Sequence, residues 1–190
     1  MDIKELIDTI RPVSDEALEM FLPKLTPRSV RAKELIIEQG KTSRSIYFIC
    51  SGVFRNFTLN DGEEHTRWFA LDGDIVASMF SFANGQPAIA SVQALTDAEV
   101  YVMSIADAKE LMDSSPEWSR WANRFFADGL YMLERRYLYI GVGDAMTRYK
   151  NLQSMRSFEM LQKVPLQYIA SYLNMRPQTL SNIRKQLFKK

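Results

Sequence analysis

Residues 164–190 have the sequence VPLQYIASYLNMRPQTLSNIRKQLFKK, and this stretch decides how the rest of the chain is interpreted. Its first half predicts a short helix, because Leu166, Ile169, Ala170 and Leu173 recur at a spacing of three to four residues. Apolar residues at this spacing lie on one face of the helix and predict that the face is buried.

A sharp turn and a second helix are predicted to follow. Asn174 is one of the few non-glycine residues that tolerate the left-handed conformation of a helix-ending turn. Pro177 suits the first position of a helix, where its missing N–H costs nothing. Leu180, Ile183 and Leu187 then form a narrow apolar stripe. The whole stretch therefore predicts a helix-turn-helix.

The opposite face of the second helix carries amides, hydroxyls and cations, which suit the base edges and phosphates of a DNA major groove. We expect two amides to contact base edges, namely those of Gln178 and Asn182. We expect four cations to contact phosphates, namely Arg176, Arg184, Lys185 and Lys189. Two hydroxyls suit either role, those of Thr179 and Ser181. The alternative is an ordinary helical hairpin with a solvated polar face.

The charge is distributed unevenly, which favours the DNA-binding interpretation. Residues 144–190 hold nine Lys or Arg and two acidic residues, a net charge of +7. Residues 1–143 hold 15 basic and 21 acidic residues, a net charge of −6. A basic module joined to an acidic body is typical of a nucleic-acid binder with a separate second domain.

Composition excludes several classes of protein. A chain of 190 residues with 46% hydrophobic residues can hold one sizeable core and a small satellite domain. No run approaches 18 apolar residues, and the first residues lack the pattern of a signal peptide. The single cysteine excludes an internal disulfide. We therefore expect a soluble cytoplasmic protein without a membrane partner.

The acidic body has the pattern of a β-rich domain between helices. Short runs rich in β-branched and aromatic residues are separated by turn signals, of which Asn60-Asp61-Gly62 is a good hairpin signal. The runs cover residues 35–38, 45–50, 53–59, 66–71, 91–95 and 99–105. Many short strands at this spacing predict an antiparallel sandwich or jelly roll.

A long helix is predicted from Pro116 to about Ile140, roughly 25 residues or about 37 Å at 1.5 Å per residue. Its apolar and aromatic side chains exceed what one side of a sandwich needs, so we expect part of it to pack against a second subunit. The predicted dimer interface comprises Trp118, Trp121, Ala122, Phe125 and Gly129. The alternative is a helix buried wholly against its own domain.

The predicted elements follow the order helix, β-roll, long helix, glycine break and basic helix-turn-helix. Four further stretches carry a family resemblance: residues 39–40 (QG), 46–53 (IYFICSGV), 73–76 (GDIV) and 84–86 (NGQ). The chain thereby resembles the Crp/Fnr family of bacterial transcription regulators over nearly its full length. The resemblance implies a homodimer that binds a palindromic operator in double-stranded DNA. RNA polymerase and an unidentified small-molecule effector become candidate partners.

One departure from the family pattern concerns the effector pocket. Family members that bind a cyclic nucleotide place a glutamate on the ribose and an Arg-Ser pair on the cyclic phosphate. The matching residues here are Ser78, Ala88 and Ile89. A buried phosphate needs a guanidinium or several N–H donors, which alanine and isoleucine side chains lack. The resemblance thus implies a degenerate effector pocket without useful affinity for cyclic AMP or cyclic GMP.

Candidate catalytic and metal-binding residues are few. His65 is the single histidine, which excludes a multi-histidine zinc site within one chain. Because it follows a hairpin turn, we expect His65 at the surface and not as a haem ligand. Cys50 is interpreted as a buried small hydrophobe, with a redox sensor as the alternative. We predict no enzyme activity, no metal and no cofactor.

The predicted fold class is α+β, with an N-terminal antiparallel β jelly roll like that of cyclic-nucleotide-binding domains, a long dimerisation helix and a C-terminal helix-turn-helix. The division is a β-roll sensor domain with flanking helices (1–115), the long helix with its glycine hinge (116–143) and a DNA-binding domain (144–190). The predicted function is sequence-specific DNA-binding transcription regulation. The alternative is a ligand-binding or protein-interaction module that does not bind DNA.

Overall fold

The computed structural model describes residues 1–154 and 163–188. Its helices are α1 (Ile3–Ile10), α2 (Asp15–Phe21), α3 (Met79–Asn84), α4 (Ile105–Ser114), α5 (Pro116–Ile140), α6 (Ala145–Ser154), α7 (Leu166–Tyr172) and α8 (Pro177–Phe188). Its strands are β1 (Thr26–Val30), β2 (Leu35–Ile37), β3 (Ser45–Ser51), β4 (Phe54–Asn60), β5 (Glu63–Ala70), β6 (Ile75–Val76), β7 (Ser91–Ala94) and β8 (Ala98–Ser104). Within these two ranges, every helix is too short or too polar to cross a membrane.

Two four-stranded antiparallel sheets form the roll. One sheet has the strand order β1-β8-β3-β6 and the other has the order β2-β7-β4-β5. The β4–β5 hairpin pairs Asn60 with Glu63, and its turn residues Asp61 and Gly62 have φ angles of 50° and 83°. The turn signal in the sequence therefore marks a real hairpin. The predicted α+β fold with an antiparallel β-roll is confirmed.

The space between the two sheets is filled by apolar side chains. Phe54, Ile49 and Ala94 are among the most deeply buried of them. Tyr47 is part of this core, and its Oη donates a hydrogen bond of 2.8 Å to the carbonyl oxygen of Ile36. Burial of this apolar surface is the main force that holds the sheets together.

The first half of α5 packs against its own chain. Trp118 and Trp121 are only 3% and 7% exposed, and Ala122 is buried beside them. The indole N–H of Trp118 donates to Ala17 O at 2.9 Å, and that of Trp121 donates to Ile7 O at 3.0 Å. The prediction that these residues form an exposed dimer patch is therefore wrong. The N-terminal helices α1 and α2 pack over them in one apolar cluster and supply the acceptors that the two buried indole N–H groups need.

The helix-turn-helix has the geometry that its sequence predicts. Asn174 adopts the left-handed conformation with φ of 51°, and Met175 N donates to Ala170 O at 3.0 Å across the turn. Pro177 begins α8. The buried residues from the two helices meet in one apolar cluster that includes Ile169, Ala170, Leu173, Leu180 and Ile183.

The link between α5 and α6 is a tight turn. Gly143 has φ of +92°, which favours glycine, and a Cβ on Gly141 would lie 2.6 Å from the Tyr137 carbonyl oxygen. Asp144 accepts a hydrogen bond of 2.7 Å from Thr147 N and so caps α6. This bond is the main reason that the pKa of the Asp144 carboxyl is lowered.

Candidate nucleic-acid interface

The outward face of α8 is polar and exposed. Gln178, Asn182 and Lys185 are exposed at spacings of four and three residues, so they lie along one side of the helix. Gln178 Nε2 lies 3.4 Å from Asn182 Oδ1, a weak hydrogen bond that a stronger partner can replace. Leu180 and Ile183 fix the opposite side in the core. The structure therefore brings the two predicted base-contacting amides together on one free face.

The other predicted contacts differ in their exposure. Arg176 is exposed at the start of α8, whereas Thr179 and Ser181 are half-buried. Arg184 is also half-buried, with its guanidinium carbon 5.7 Å from the centre of the Tyr149 ring. Arg184 therefore leans towards α6 and is a weaker candidate for phosphate contact than Lys185. Lys189 lies outside the described residues.

Arg148 stabilises the turn between α7 and α8 although it is part of the basic region. Its Nε donates to Leu173 O at 2.8 Å, its Nη1 to Gly143 O at 2.6 Å and its Nη2 to Asn174 O at 3.2 Å. These three carbonyl oxygens come from the glycine turn and from the end of α7. One guanidinium thus joins the hinge to the helix-turn-helix.

Arg148→Ala is expected to lower the free energy of unfolding by about 2–3 kcal/mol, because hydrogen bonds from a charged donor are lost. Arg148→Lys should recover only part of this, since a single ammonium cannot match the spread of a guanidinium. Denaturant unfolding followed by circular dichroism measures both. The matched control is Lys150→Ala, an exposed cation on the same helix. Equal losses in the two alanine variants would contradict this role for Arg148.

At the residues that match the family's phosphate site, the alanine and isoleucine side chains supply no hydrogen-bond donor. Ala88 is buried, and its backbone N–H already donates to Lys41 O at 2.9 Å. Ile89 is 56% exposed. Ser78 caps α3, where its Oγ accepts from Ser81 N at 3.3 Å. An anion placed here would meet a backbone amide that is already engaged and two apolar side chains.

A different part of α5 carries an exposed apolar surface. We call it the α5 stripe: Leu130, Leu133 and Tyr137, which are 61%, 61% and 73% exposed and lie at spacings of three and four residues. Gly129 borders the α5 stripe. Among the described residues, no atom would lie within 4 Å of a Cβ added at Gly129. Phe125 is half-buried and stacks on Trp121 with ring centres 5.8 Å apart.

The predicted dimer interface left out the residues of the α5 stripe, and no individual role was predicted for Arg148. The stripe could have been found, because its spacing continues that of the buried aromatic residues of the same helix. The role of Arg148 could not, since two of its three acceptors lie 25 and 26 residues away and depend on the tertiary fold.

Comparison with known proteins identifies the roll. Residues 27–115 match the family model of the cyclic nucleotide-binding domain. A curated relative is the cAMP-activated global transcriptional regulator CRP of Salmonella typhimurium, 27% identical over 108 residues. The match covers 56% of this chain and 51% of that protein, so the aligned part spans about half the length of this relative.

Solved structures match over a longer part of the chain. FixK2 from Bradyrhizobium japonicum has a TM-score of 0.74 at 21% identity and covers 87% of this chain and 85% of its own. A CooA mutant from Carboxydothermus hydrogenoformans has a TM-score of 0.74 at 16% identity, with coverages of 100% and 85%. At these low sequence identities, the similarity to the solved structures shows a shared fold only. The cyclic nucleotide-binding domain match and the shared fold of the roll, the long helix and the helix-turn-helix support the resemblance to Crp/Fnr-type regulators.

Proposed function

We propose that this chain is a dimeric, sequence-specific DNA-binding transcription regulator that has lost the cyclic-nucleotide phosphate site. The observation that carries the proposal is the exposed face of α8, where Gln178, Asn182 and Lys185 project from a helix whose other side is fixed in a core. Amides suit adenine edges and an ammonium suits a phosphate, so this face has the chemistry of a major-groove reader.

Long-range electrostatics support the same function. The net charge of +7 over residues 144–190, against −6 for the remainder, directs the DNA-binding module towards a polyanion. Arg176 and Lys185 are exposed at opposite ends of the polar face, where they can contact the phosphates on the two sides of a groove. Such contacts give affinity and register, while the amides between them give sequence preference.

Dimerisation is proposed to occur along the α5 stripe. Three large apolar side chains on one exposed helix face are unfavourable in water, and a second copy of the same stripe would cover them. This proposal keeps the division into residues 1–115, 116–143 and 144–190, with the interface in the second part. The proposed interface lies closer to the glycine hinge than the interface predicted from the sequence, which included Trp118 and Trp121.

Cyclic nucleotides are expected not to bind. To bind here, the phosphate would have to displace the hydrogen bond from Ala88 N to Lys41 O. No guanidinium is present at the matching residues to offset the loss of phosphate hydration. Isothermal titration calorimetry of the purified protein with cyclic AMP and cyclic GMP should show no saturable heat. A dissociation constant in the micromolar range for either compound would contradict the loss of this site.

Binding to duplex DNA tests the proposed function directly. Fluorescence anisotropy with a labelled genomic fragment should show binding that weakens steeply as the salt concentration rises, because phosphate contacts release counterions. Lys185→Ala should reduce the slope of log affinity against log salt by about 1. A chain that binds no duplex even at low salt would instead support the ligand-binding or protein-interaction module.

A further inference from the structure

The first helix of the helix-turn-helix covers an edge of the β-roll. Strand β5 is the outer strand of its sheet, so every second residue directs its N–H and C=O away from the sheet. Thr66 N donates to Ser171 Oγ at 2.9 Å, and Ser171 Oγ lies 3.3 Å from Glu64 O. One serine of α7 thus satisfies a donor and an acceptor of an otherwise unpaired strand edge.

A buried arginine forms the centre of this contact. Arg55 lies on β4 and is 1% exposed. Its guanidinium carbon is 3.8 Å from the centre of the Tyr168 ring on α7 and 4.1 Å from the centre of the Phe57 ring. Its Nη2 donates to Glu64 Oε2 at 2.7 Å and to Gln93 Oε1 at 3.1 Å. A cation desolvated against two aromatic rings makes a strong and directional contact.

A second aromatic residue of α7 extends the contact to α5. The Tyr172 ring lies 5.5 Å from the Phe69 ring of β5, and the Arg136 guanidinium carbon of α5 lies 5.1 Å from the Tyr172 ring centre. Burial raises the pKa of the Tyr172 phenol and lowers the pKa of Arg136. Tyr168, Ser171 and Tyr172 are spaced by three and one, so they occupy one side of α7 and dock it on the roll.

The docked arrangement leaves the polar face of α8 free. Gln178, Asn182 and Lys185 remain exposed while α7 is held on β5. The contact therefore does not block the face that the proposed function requires. It fixes the direction in which that face points, in a chain whose α5–α6 link contains Gly141 and Gly143, which could otherwise act as a hinge.

We propose that Arg55 and Tyr168 are positioning residues for DNA binding, which hold the helix-turn-helix on the β-roll in the orientation that matches the two half-sites of an operator. This inference rests on the proposed function. In a dimer, both recognition helices must lie about one helical turn apart, roughly 34–36 Å. A helix-turn-helix that is already held on the β-roll loses less orientational freedom when it binds DNA. The contact between Arg55 and Tyr168 therefore increases the affinity for a complete operator, although neither residue touches the DNA.

The test compares Tyr168→Leu, which removes the ring, with Tyr168→Phe, which keeps it. Tyr168→Leu should bind the complete palindrome about tenfold more weakly, the effect of losing one desolvated cation–π contact. Its affinity for a single half-site should not change. Inserting two base pairs between the half-sites should cost the wild type more affinity than it costs Tyr168→Leu. Tyr168→Phe should behave as the wild type in all three assays.

Several results would overturn the inference. One is a Tyr168→Leu variant with the wild-type affinity and the wild-type dependence on half-site spacing. Another is tighter operator binding by this variant, which would make the docked form inhibitory. Hydrogen exchange in the unaltered protein provides a second measurement, since Thr66 N–H should exchange far more slowly than Gly62 N–H in the hairpin turn. Equal rates would show that α7 does not stay docked.

DNA binding by the wild-type protein and by the Tyr168→Leu variant distinguishes failure of this inference from failure of the proposed function. A wild-type protein that binds no duplex DNA removes the proposed function and the inference together. A wild-type protein that binds its operator, with a Tyr168→Leu variant that is indistinguishable from it, removes the inference alone.

Discussion

Leu133→Glu is expected to turn the dimer into a monomer that no longer binds a palindromic operator. Leu133 lies in the middle of the α5 stripe and is 61% exposed in the single chain. In a symmetric dimer the substitution occurs twice at one interface. Each copy removes about 1.5–3 kcal/mol of apolar burial and places a carboxylate among apolar side chains. Sedimentation velocity measures the oligomeric state, and a mobility-shift assay measures operator binding.

The matched control is Asn123→Glu, which adds the same charge at an exposed polar position on the same helix. This variant should remain dimeric and should bind DNA. Phe125→Glu is not a clean test, because Phe125 stacks on Trp121 and lines the apolar region under α5. Its substitution should destabilise the single chain. A Leu133→Glu protein that still sediments as a dimer would contradict an interface along the α5 stripe.

Asn182→Ala and Gln178→Ala are each expected to weaken specific operator binding by about 1–3 kcal/mol and to relax the sequence preference. Both amides lie on the exposed face of α8, and their mutual hydrogen bond of 3.4 Å is weak enough to be exchanged for base contacts. Lys185→Ala is the control, because loss of a phosphate contact should weaken binding to all duplexes by a similar factor.

Competition assays with the operator and with unrelated DNA separate these two effects. The amide variants should lose most of the ratio between specific and non-specific affinity, whereas Lys185→Ala should keep that ratio. If both amide variants retain the wild-type affinity and ratio, the base-reading face of α8 is wrongly assigned.

Local features of the sequence were sufficient to predict much of the fold. Asn174 and Pro177 define the turn and the second helix because each constrains its own backbone. The β4–β5 hairpin follows from its turn residues for the same reason. Strand β1 was missed, because Pro27 argues against a strand, yet β1 is an edge strand that tolerates it. The short helix α3 was also missed, since six residues give too little periodicity for a prediction.

The error in the predicted dimer interface has a physical reason. Apolar periodicity shows that one side of a helix is buried, but it does not show what covers that side. On α5 the exposure of the apolar side chains changes along the helix. Trp118 and Trp121 pack under the N-terminal helices of the same chain, and Leu133 and Tyr137 remain exposed further along. The sequence places both sets in one helix and cannot distinguish them.

The candidate site is predictable only where its chemistry is local. The polar face of α8 follows from the helical repeat and the residues on it. Arg55 and Tyr168 are separated by 113 positions in the sequence, and no periodicity connects an arginine in a strand to a tyrosine in a distant helix. Nothing in the sequence around Arg55 indicates that this charged residue is buried. Such contacts emerge only when the fold brings the elements together.

Selection of bound genomic fragments by the purified wild-type protein, followed by sequencing, is the most direct test of a sequence-specific DNA-binding dimer. We expect enrichment of one palindromic motif whose half-sites are centred about one helical turn apart. We also expect the Leu133→Glu protein to lose this enrichment. A sequenced pool indistinguishable from the input DNA, obtained with a wild-type protein that is folded, would contradict sequence-specific DNA binding by this chain.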